Sequence, residues 1–360
     1  DGDSIPDSWE VVHGLDPSNP DDALLDNDND GLSNLNEFLH QGDPNNLDTD
    51  GDQIPDGWEY EHDLNLTDST DAMLDSDNDG FSNFTEFQLQ TDPQDAESFP
   101  EQLNLTSSFE DSRLPQWFNH SSENNADWYI DNSFATDGSQ SIRSGKISDG
   151  QMSSFSATGV FAEAYLVFDY KIESEECCDS FIMKINGSNS DIEWIAGTKE
   201  GSVIVKIPEG VNVIEFSYSK DGSISTGEDA VWLDNFKFIA KTSDADTDSD
   251  GLPDFWEVEN GLNLTDANDA SSDYDNDALT ALQEYGIGTD PRHSDSDGDE
   301  LPDGYEVNVL MTSPINANVT GADLDEDGYT DVQEYYAQSS PSEYASTPSA
   351  INNLFESFES

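Results

Sequence analysis

Seven stretches of this 360-residue chain space their carboxylates in one way: Asp, any residue, Asp, any, Asp, then an apolar residue, an Asp or Asn, and a closing Glu. In 26–37, DNDNDGLSNLNE, the side-chain oxygens come from Asp26, Asp28, Asp30, Asn34 and Glu37, at loop positions 1, 3, 5, 9 and 12. Leu32, at position 7, offers a backbone carbonyl. The same register gives Asp48, Asp50, Asp52, Ile54, Asp56 and Glu59, and then Asp75, Asp77, Asp79, Phe81, Asn83 and Glu86. Further along come Asp246, Asp248, Asp250, Leu252, Asp254 and Glu257, and Asp295, Asp297, Asp299, Leu301, Asp303 and Glu306. The last copy is Asp323, Asp325, Asp327, Tyr329, Asp331 and Glu334. One copy is degenerate: Asp273, Asp275, Asp277, Leu279 and Glu284 remain, but Ala278 stands at position 6 and Ala281 at position 9. The chain opens on DGDSIPDSWE, a loop short of its first ligand that keeps Asp1, Asp3, Asp7 and Glu10.

Alternate residues of a tight loop point their oxygens inward, and such a cage suits a hard cation. Calcium takes about 6–8 oxygens at roughly 2.3–2.6 Å, and positions 1, 3, 5, 7, 9 and 12 are the EF-hand spacing, with Gly31 at the sharp sixth position. Magnesium wants fewer protein ligands in octahedral geometry. Zinc and copper want His or Cys, which these loops lack. A solvated acidic linker would not keep Glu in register at the twelfth position. Loop 273–284 is expected to bind most weakly, with Asp266 and Asp269 near enough in sequence to lend it an oxygen.

Charge is distributed to match. Residues 101–241 hold 23 acids and 10 bases, whereas the flanks hold 57 acids and one base, Arg292. Free polyanions of that density cannot compact, so bound cations must neutralise them if they fold. Nucleic acid and anionic membranes are disfavoured as partners. No segment approaches the roughly 20 apolar residues of a membrane helix. Asp1 falls inside a motif, which suggests a piece of a longer chain. Seven N-x-S/T sequons, including Asn65 and Asn263, leave glycosylation open; Asn83 reads better as a ligand.

Two loop flavours alternate. One carries an aromatic just before the Glu (Trp9, Trp58, Trp256, Tyr305), the other just after it (Phe38, Phe87, Tyr285, Tyr335). These rings either form a sugar-stacking stripe or, as the better reading, the apolar seam between loops. The position-7 residues, with Ile5, are expected to join that seam. Pro at position 8 of the first flavour points to a turn rather than a helix, and Asp-Pro and Asn-Pro pairs punctuate the arrays. Loops of this kind with intervening DP turns resemble thrombospondin type 3 repeats of the bacterial kind, over roughly 1–100 and 244–340. The resemblance implies compact, calcium-filled arrays with little regular secondary structure, acting as stalk or spacer in surface and secreted proteins. The disulfides of the animal repeats are missing, so rigidity would rest on metal.

From Leu103 to Ala240 the pattern changes to short alternating β-runs such as AYLVFDYKIES and SVIVKIPEG, which predict an antiparallel sandwich. About 140 residues suffice for one core. SFEDSRLPQWF, DWYIDNSFATDGSQSIRSG and GEDAVWLDNFKF resemble MAM-like jelly rolls. In such sandwiches an acid of the first strand and one of the last share a structural cation. Glu110 and Asp234 match those positions, with simple strand-end capping the alternative. Cys177 and Cys178 are adjacent. Consecutive Cα atoms lie about 3.8 Å apart, below the usual disulfide window, so two thiols, one of them buried, are expected. No GxSxG, HExxH, P-loop or GxGxxG occurs, the five histidines are scattered, and Ser217-x-x-Lys220 is best read as chance. The expectation is a protein that is not an enzyme.

A longer period lies over the loops. Glu10, Glu37 and Glu59 recur 247 residues later as Glu257, Glu284 and Glu306, and Phe109-Glu110 recurs as Phe358-Glu359. The expected fold is mainly β: a calcium-loop array at 1–100, a jelly-roll β-sandwich at 103–241, a second array at 244–343, and at 344–360 a linker and the first strand of another sandwich. The expected function is an extracellular, calcium-stabilised spacer in a repetitive surface protein or filament, whose partners are further copies of the super-repeat. The alternative is an adhesin whose sandwich binds carbohydrate or protein.

Overall fold

The computed structural model describes residues 1–121, 124–190, 192, 194–222, 227–317, 322–346 and 348. Two compact units divide the chain, Asp1–Thr242 and Ser243–Ser360. The repeat of the first strand expected at Phe358-Glu359 lies outside the described residues.

The alternating runs of the first unit become strands because one side of each can be buried. The described strands are β1 (Asn119–His120), β2 (Tyr129–Asp131), β3 (Ser141–Arg143), β4 (Met152–Phe161), β5 (Ala164–Glu173), β6 (Ser180–Ile185), β7 (Ser188–Asn189), β8 (Ile195–Ala196), β9 (Thr198–Ile207), β10 (Gly210–Ser219) and β11 (Ala230–Ala240). They form two antiparallel sheets. One runs β1-β4-β10-β6-β7, with β8 also on β6; the other runs β2-β3-β11-β5-β9. Along β9, Val203, Val205 and Ile207 are buried while Ser202, Ile204 and Lys206 are exposed, the period-2 pattern of a strand with one face on a core. Between the sheets lies an aromatic core: Phe155 stacks on Phe118 and Phe216, and Phe236 lies against Phe168, Phe109 and Trp117. The fold is thus mainly β, built on an antiparallel sandwich.

The arrays have almost no core of this kind, and hydrogen bonds shape them. Each loop is closed by the N–H of position 9 donating to the carbonyl just before position 1: Asn34 to Leu25, Asp56 to Leu47, Asn83 to Leu74, Asp254 to Ala245, Ala281 to Ser272, Asp303 to Ser294 and Asp331 to Ala322, at 2.7–3.1 Å. Position 6 is left-handed throughout, from Gly31 (φ 103°) to Glu300 (φ 79°). Ala278 adopts φ 80° beside Gln53 at 82°, so the missing glycine does not alter that loop's path.

The Pro flavour corrects an expectation. Pro6, Pro55, Pro253 and Pro302 do not turn the chain away from helix; each is the N-cap of one. Its φ near −70° suits helix entry, and its missing N–H is one that a helix start leaves unused anyway. The described helices are one or two turns long: α1 (Asp7–His13), α2 (Asn34–His40), α3 (Asp56–Glu61), α4 (Asn83–Leu89), α5 (Asp254–Glu259), α6 (Ala281–Ile287), α7 (Asp303–Tyr305) and α8 (Asp331–Ala337). Each carries or adjoins the closing Glu of its loop. Short 3-10 turns at Asp22–Leu24, Asp71–Met73 and Asp269–Ser271 precede the other flavour.

The aromatics pair across successive loops. Trp9 meets Phe38 at 5.4 Å between ring centres, Trp58 meets Phe87 at 5.3 Å, Trp256 meets Tyr285 at 5.4 Å and Tyr305 meets Tyr335 at 4.9 Å. These four pairs are the seam. Ile5, Leu32, Ile54, Phe81, Leu252, Leu279 and Leu301 are buried as expected; Tyr329, at 40% exposure, is not. A second correction concerns the cysteines. Cys177 and Cys178 are joined to each other, and both are exposed at the turn between β5 and β6.

Candidate metal centres

Within each loop the aspartates spend one oxygen on the backbone. Position 5 receives the N–H of position 7, as Asp30 does from Leu32 and Asp52 from Ile54, both at 2.7 Å. Position 3 receives that of position 5, as Asp28 does from Asp30 at 3.3 Å. Asp26 takes the N–H groups of Asn29 and Gly31, one on each oxygen, and Asp273 those of Asn276 and Ala278. These bonds turn the second oxygens inward. Among the described residues no donor reaches the buried Oδ2 of Asp3, Asp28, Asp50, Asp52, Asp77, Asp79, Asp250, Asp275, Asp297, Asp325 or Asp327. The same holds for both carboxylate oxygens of Glu10, Glu37, Glu59, Glu86, Glu257 and Glu284, each fully buried.

Buried acceptors without donors are costly, and here they converge. One oxygen each from Asp26, Asp28 and Asp30 lies within 4.8 Å of the others, and so do those of Asp48, Asp50 and Asp52, and of Asp1, Asp3 and Glu10. Burial first, then the charge of the neighbouring aspartates, pushes the glutamates up: Glu37, Glu86, Glu257 and Glu284 to about 8 and Glu59 to about 9. Oxygen-only donors, several carboxylates and no compensating base fit a hard divalent cation, and the number of oxygens suits calcium. Such an ion would supply the positive charge that the buried carboxylates lack.

The structure redistributes the expected ligands between neighbouring loops. The Asp56 carboxylate does not turn into its own loop's cluster: its oxygens take the N–H and hydroxyl of Thr49, the N–H bond at 2.7 Å. It lies within 4.8 Å of Asp30 and Glu37, in the preceding cluster. Asp303 behaves likewise, bracing Ser296 and adding its charge to Glu284. Asp254 braces Thr247, and Asp331 receives Leu324 N–H; Asp7 is exposed. Asn34 and Asn83 donate their amides to the carbonyls of Asp22 and Asp71 at 2.7 and 2.8 Å and keep a buried Oδ1 that no described donor reaches.

Two close approaches join the loops. The N–H of Gly57 donates to Asp30 and that of Gly304 to Asp277, both at 2.9 Å. A Cβ at Gly57 would sit 2.3 Å from the Asp30 carbonyl oxygen, and at Gly304 2.0 Å from that of Asp277. Ser8 and Phe255 hold the same loop position in the loops that open the two described arrays.

Sequence reasoning missed Asp22 and Asp71 and misassigned Asp269. Each stands twelve residues after a Pro-flavour glutamate, Glu10, Glu59 and Glu257, and adds its charge to that glutamate. One oxygen takes a backbone N–H from Asp16, Asn65 or Asn263 at 2.8–2.9 Å; for the other, Oδ1, there is no described donor. Asp269 therefore lies against the glutamate of the 246–257 loop. The threefold spacing from Glu was the signal.

In the sandwich, Glu110 and Asp234 are brought to one segment. Glu110 accepts from the N–H groups of Ser139 and Gln140 at 2.8 and 2.6 Å. Asp234, fully buried in β11, accepts from Thr136, Asp137 and Asn235. Both carboxylates thus anchor the 136–140 segment. Ser217 and Lys220 do not pair: Ser217 donates to the Ile182 carbonyl, and Lys220 forms ion pairs with Asp229 and Asp149.

A family model described as the bacterial TSP3 repeat matches residues 75–96, the stretch that contains Asp75, Asp77, Asp79, Asn83 and Glu86. No curated protein matches the chain in sequence. Among solved structures the chain is similar to the K1 cleaved adhesin domain of Lys-gingipain from Porphyromonas gingivalis W83, with 12% identity over 39% of this chain and 99% of that one, TM-score 0.32. It is similar to the CBM22-1 xylan-binding domain of Paenibacillus barcinonensis Xyn10C, with 16% identity, 39% and 96% coverage and TM-score 0.29. It is also similar to the secreted serine protease VesC of Vibrio cholerae, with 16% identity, 31% and 24% coverage and TM-score 0.26. At these values no functional conclusion follows from the likeness. No helix among the described residues is long and apolar enough to cross a membrane.

Proposed function

We propose that the chain is a calcium-stiffened structural segment of a repetitive extracellular or surface protein, and that it is not an enzyme. The observation that carries this reading is the set of fully buried glutamates, Glu10 to Glu284, whose oxygens meet other carboxylates instead of donors. A fold that buries so much like charge needs a counter-ion, and metal binding there is folding. The ions would be held by Asp1, Asp3, Glu10 and Asp22; by Asp26, Asp28, Asp30, Glu37 and Asp56; by Asp48, Asp50, Asp52, Glu59 and Asp71; and by the equivalent sets elsewhere. The match to a bacterial TSP3 repeat supports calcium as the metal. Further copies of the super-repeat are the partners in this reading, in the same chain or in a filament.

The test combines small-angle scattering with limited proteolysis, with calcium and with chelator. On chelation both arrays should expand and become protease-sensitive, while 103–240 resists. Equal resistance of arrays and sandwich under chelation overturns the reading.

A second reading, an adhesin whose sandwich binds carbohydrate or protein, draws on Trp194 and Tyr129, exposed by 54% and 42%. Exposed aromatics are the usual platform for a sugar face or a protein hot spot. Glycan-array binding that Trp194→Ala abolishes would favour it; binding to no glycan or surface protein would leave the spacer.

A further inference from the structure

Four loops end in a helix with a Ser or Thr N-cap, and in three of them the cap's own N–H is met, in two different ways. A helix start leaves its first N–H groups unpaired, and a capping box satisfies the cap residue's N–H with a Glu or Gln side chain three residues on. In α6, Thr280 is the cap, and Gln283 Oε1 accepts from its N–H at 3.0 Å and its hydroxyl at 3.1 Å. In α8, Thr330 and Gln333 repeat the arrangement at 3.1 Å. In α4 the cap is Ser82, and the third residue on is Thr85, whose hydroxyl accepts from the Ser82 hydroxyl at 3.1 Å but offers no acceptor to the Ser82 N–H.

The missing partner comes from the sandwich. Glu209 accepts the N–H of Ser82 at 3.1 Å and the hydroxyl of Thr85 at 2.8 Å, and it also accepts the Ser82 hydroxyl. Glu209 lies in the two-residue link Pro208–Glu209 between β9 and β10, 127 residues from Ser82. That link is held rigid: the buried Asn212 donates its amide to the carbonyls of Pro208 and Gly210, at 2.8 and 3.1 Å. Ser82 and Thr85 are themselves buried, at 6% and 7% exposure. The same loop docks a second time, at Gly80. A Cβ there would meet Thr242 Cγ2 at 2.7 Å, whereas at the equivalent Gly31 and Gly328 it would meet nothing within 4 Å.

We propose that Glu209 is a capping-box residue supplied in trans, a positioning residue that makes calcium binding at loop 75–86 and docking of the sandwich onto the first array one linked equilibrium. Glu86 sits one turn into α4, so a frayed α4 displaces the twelfth-position ligand. Linkage is reciprocal: calcium at this loop holds the β9–β10 link, and the docked link raises calcium affinity there. In the second array the box is closed in cis, so Gln283 and Gln333 confer no such dependence. The inference rests on the calcium reading above.

Hydrogen exchange of the full chain across a calcium titration tests it, with peptides covering 75–92, 26–40 and 273–287 read separately. Glu209→Ala should raise the calcium midpoint of 75–92 by about fivefold, the effect expected of a lost cap, and leave the other two unmoved. Thr85→Gln in the Glu209→Ala background restores the box in cis. It should return the 75–92 midpoint to the wild-type value while exchange in the β9–β10 link no longer responds to calcium. Thr85→Val, which removes a hydroxyl donor to Glu209 and keeps the bond from the Thr85 N–H to the Ser82 cap, is the second probe should Glu209→Ala disturb β9 or β10, and should likewise raise the 75–92 midpoint. An unchanged midpoint in Glu209→Ala with the sandwich intact, or in Thr85→Val, overturns the coupling alone. Exchange that ignores calcium in every loop overturns the calcium reading instead.

Discussion

The N–H of Gly57 lies 2.9 Å from Asp30 Oδ2, so one acidic loop is braced by the backbone of the next. The pairing recurs in the second array between Gly304 and Asp277. It alternates along the arrays with the aromatic pairs, so successive loops are held by one kind of contact or the other.

Gly57→Ala and Gly304→Ala should each cost about 1–3 kcal/mol, the usual range for forcing a methyl into filled space. The added Cβ meets a backbone carbonyl, which cannot swing aside. Calcium-dependent thermal melts would read the loss. Gly286→Ala is the control, since a Cβ there has open space around it; an equal effect from the control would show that the close approach does not matter.

Much of this was legible in the residues. The register of Asp and Glu located every loop, and the β-runs of 103–240 announced the sandwich. What the single-loop template hid was sharing between loops. Asp56 sits at position 9 of its own loop yet faces Asp30 and Glu37, because Thr49 takes up its own-side hydrogen bonds. Asp71 lies outside any twelve-residue template. The glycine of Pro-Asp-Gly, set against Ser8 and Phe255, was a readable mark of that sharing. The helices behind Pro55 and Pro253 were missed because Pro was weighed as a breaker rather than as an N-cap.

Asp71→Ala and Asp269→Ala should weaken calcium at the sites of Glu59 and Glu257, by on the order of tenfold or more. Glu86 and Glu284, in the following loops, should be little affected. Site-resolved hydrogen exchange against calcium distinguishes the two. If the loss falls on 75–86 or 273–284 instead, the assignment of these aspartates is wrong.

Protons compete with the metal. In the metal-free fold Glu37 is raised from 4.5 to about 8 and Glu59 to about 9, by burial first and neighbouring aspartates second. A raised folded-state pKa adds stability that is complete below the unfolded value and is lost as pH rises through the folded one. The chelated arrays should therefore be most resistant to protease near pH 4–5 and least above pH 9. Calcium binding at pH 7 should release protons, measurable as a binding enthalpy that changes with the ionisation enthalpy of the buffer. A buffer-independent enthalpy would show these glutamates already ionised.

The weakest site was expected at 273–284, where Ala281 replaces a ninth-position oxygen, and the hydrogen bonds of the other loops suggest a test of whether that weakness lies upstream instead. Asn34 and Asn83 reach back to the carbonyls of Asp22 and Asp71, holding the turns that carry those ligands. Ala281 occupies the same first helical position, fully buried, and cannot hold Asp269 in this way. The cost should fall on the site of Glu257, while 273–284 keeps Asp303 and the Gly304 brace. Ala281→Asn should then raise calcium affinity at 246–257 severalfold, and Asn83→Ala should lower it by a similar factor at 48–59. The reverse substitution guards against the added side chain simply overfilling a closed space. Calorimetry on the full chain, with exchange to place the change, reads both. If Asn83→Ala weakens 75–86 and spares 48–59, position 9 serves its own loop after all.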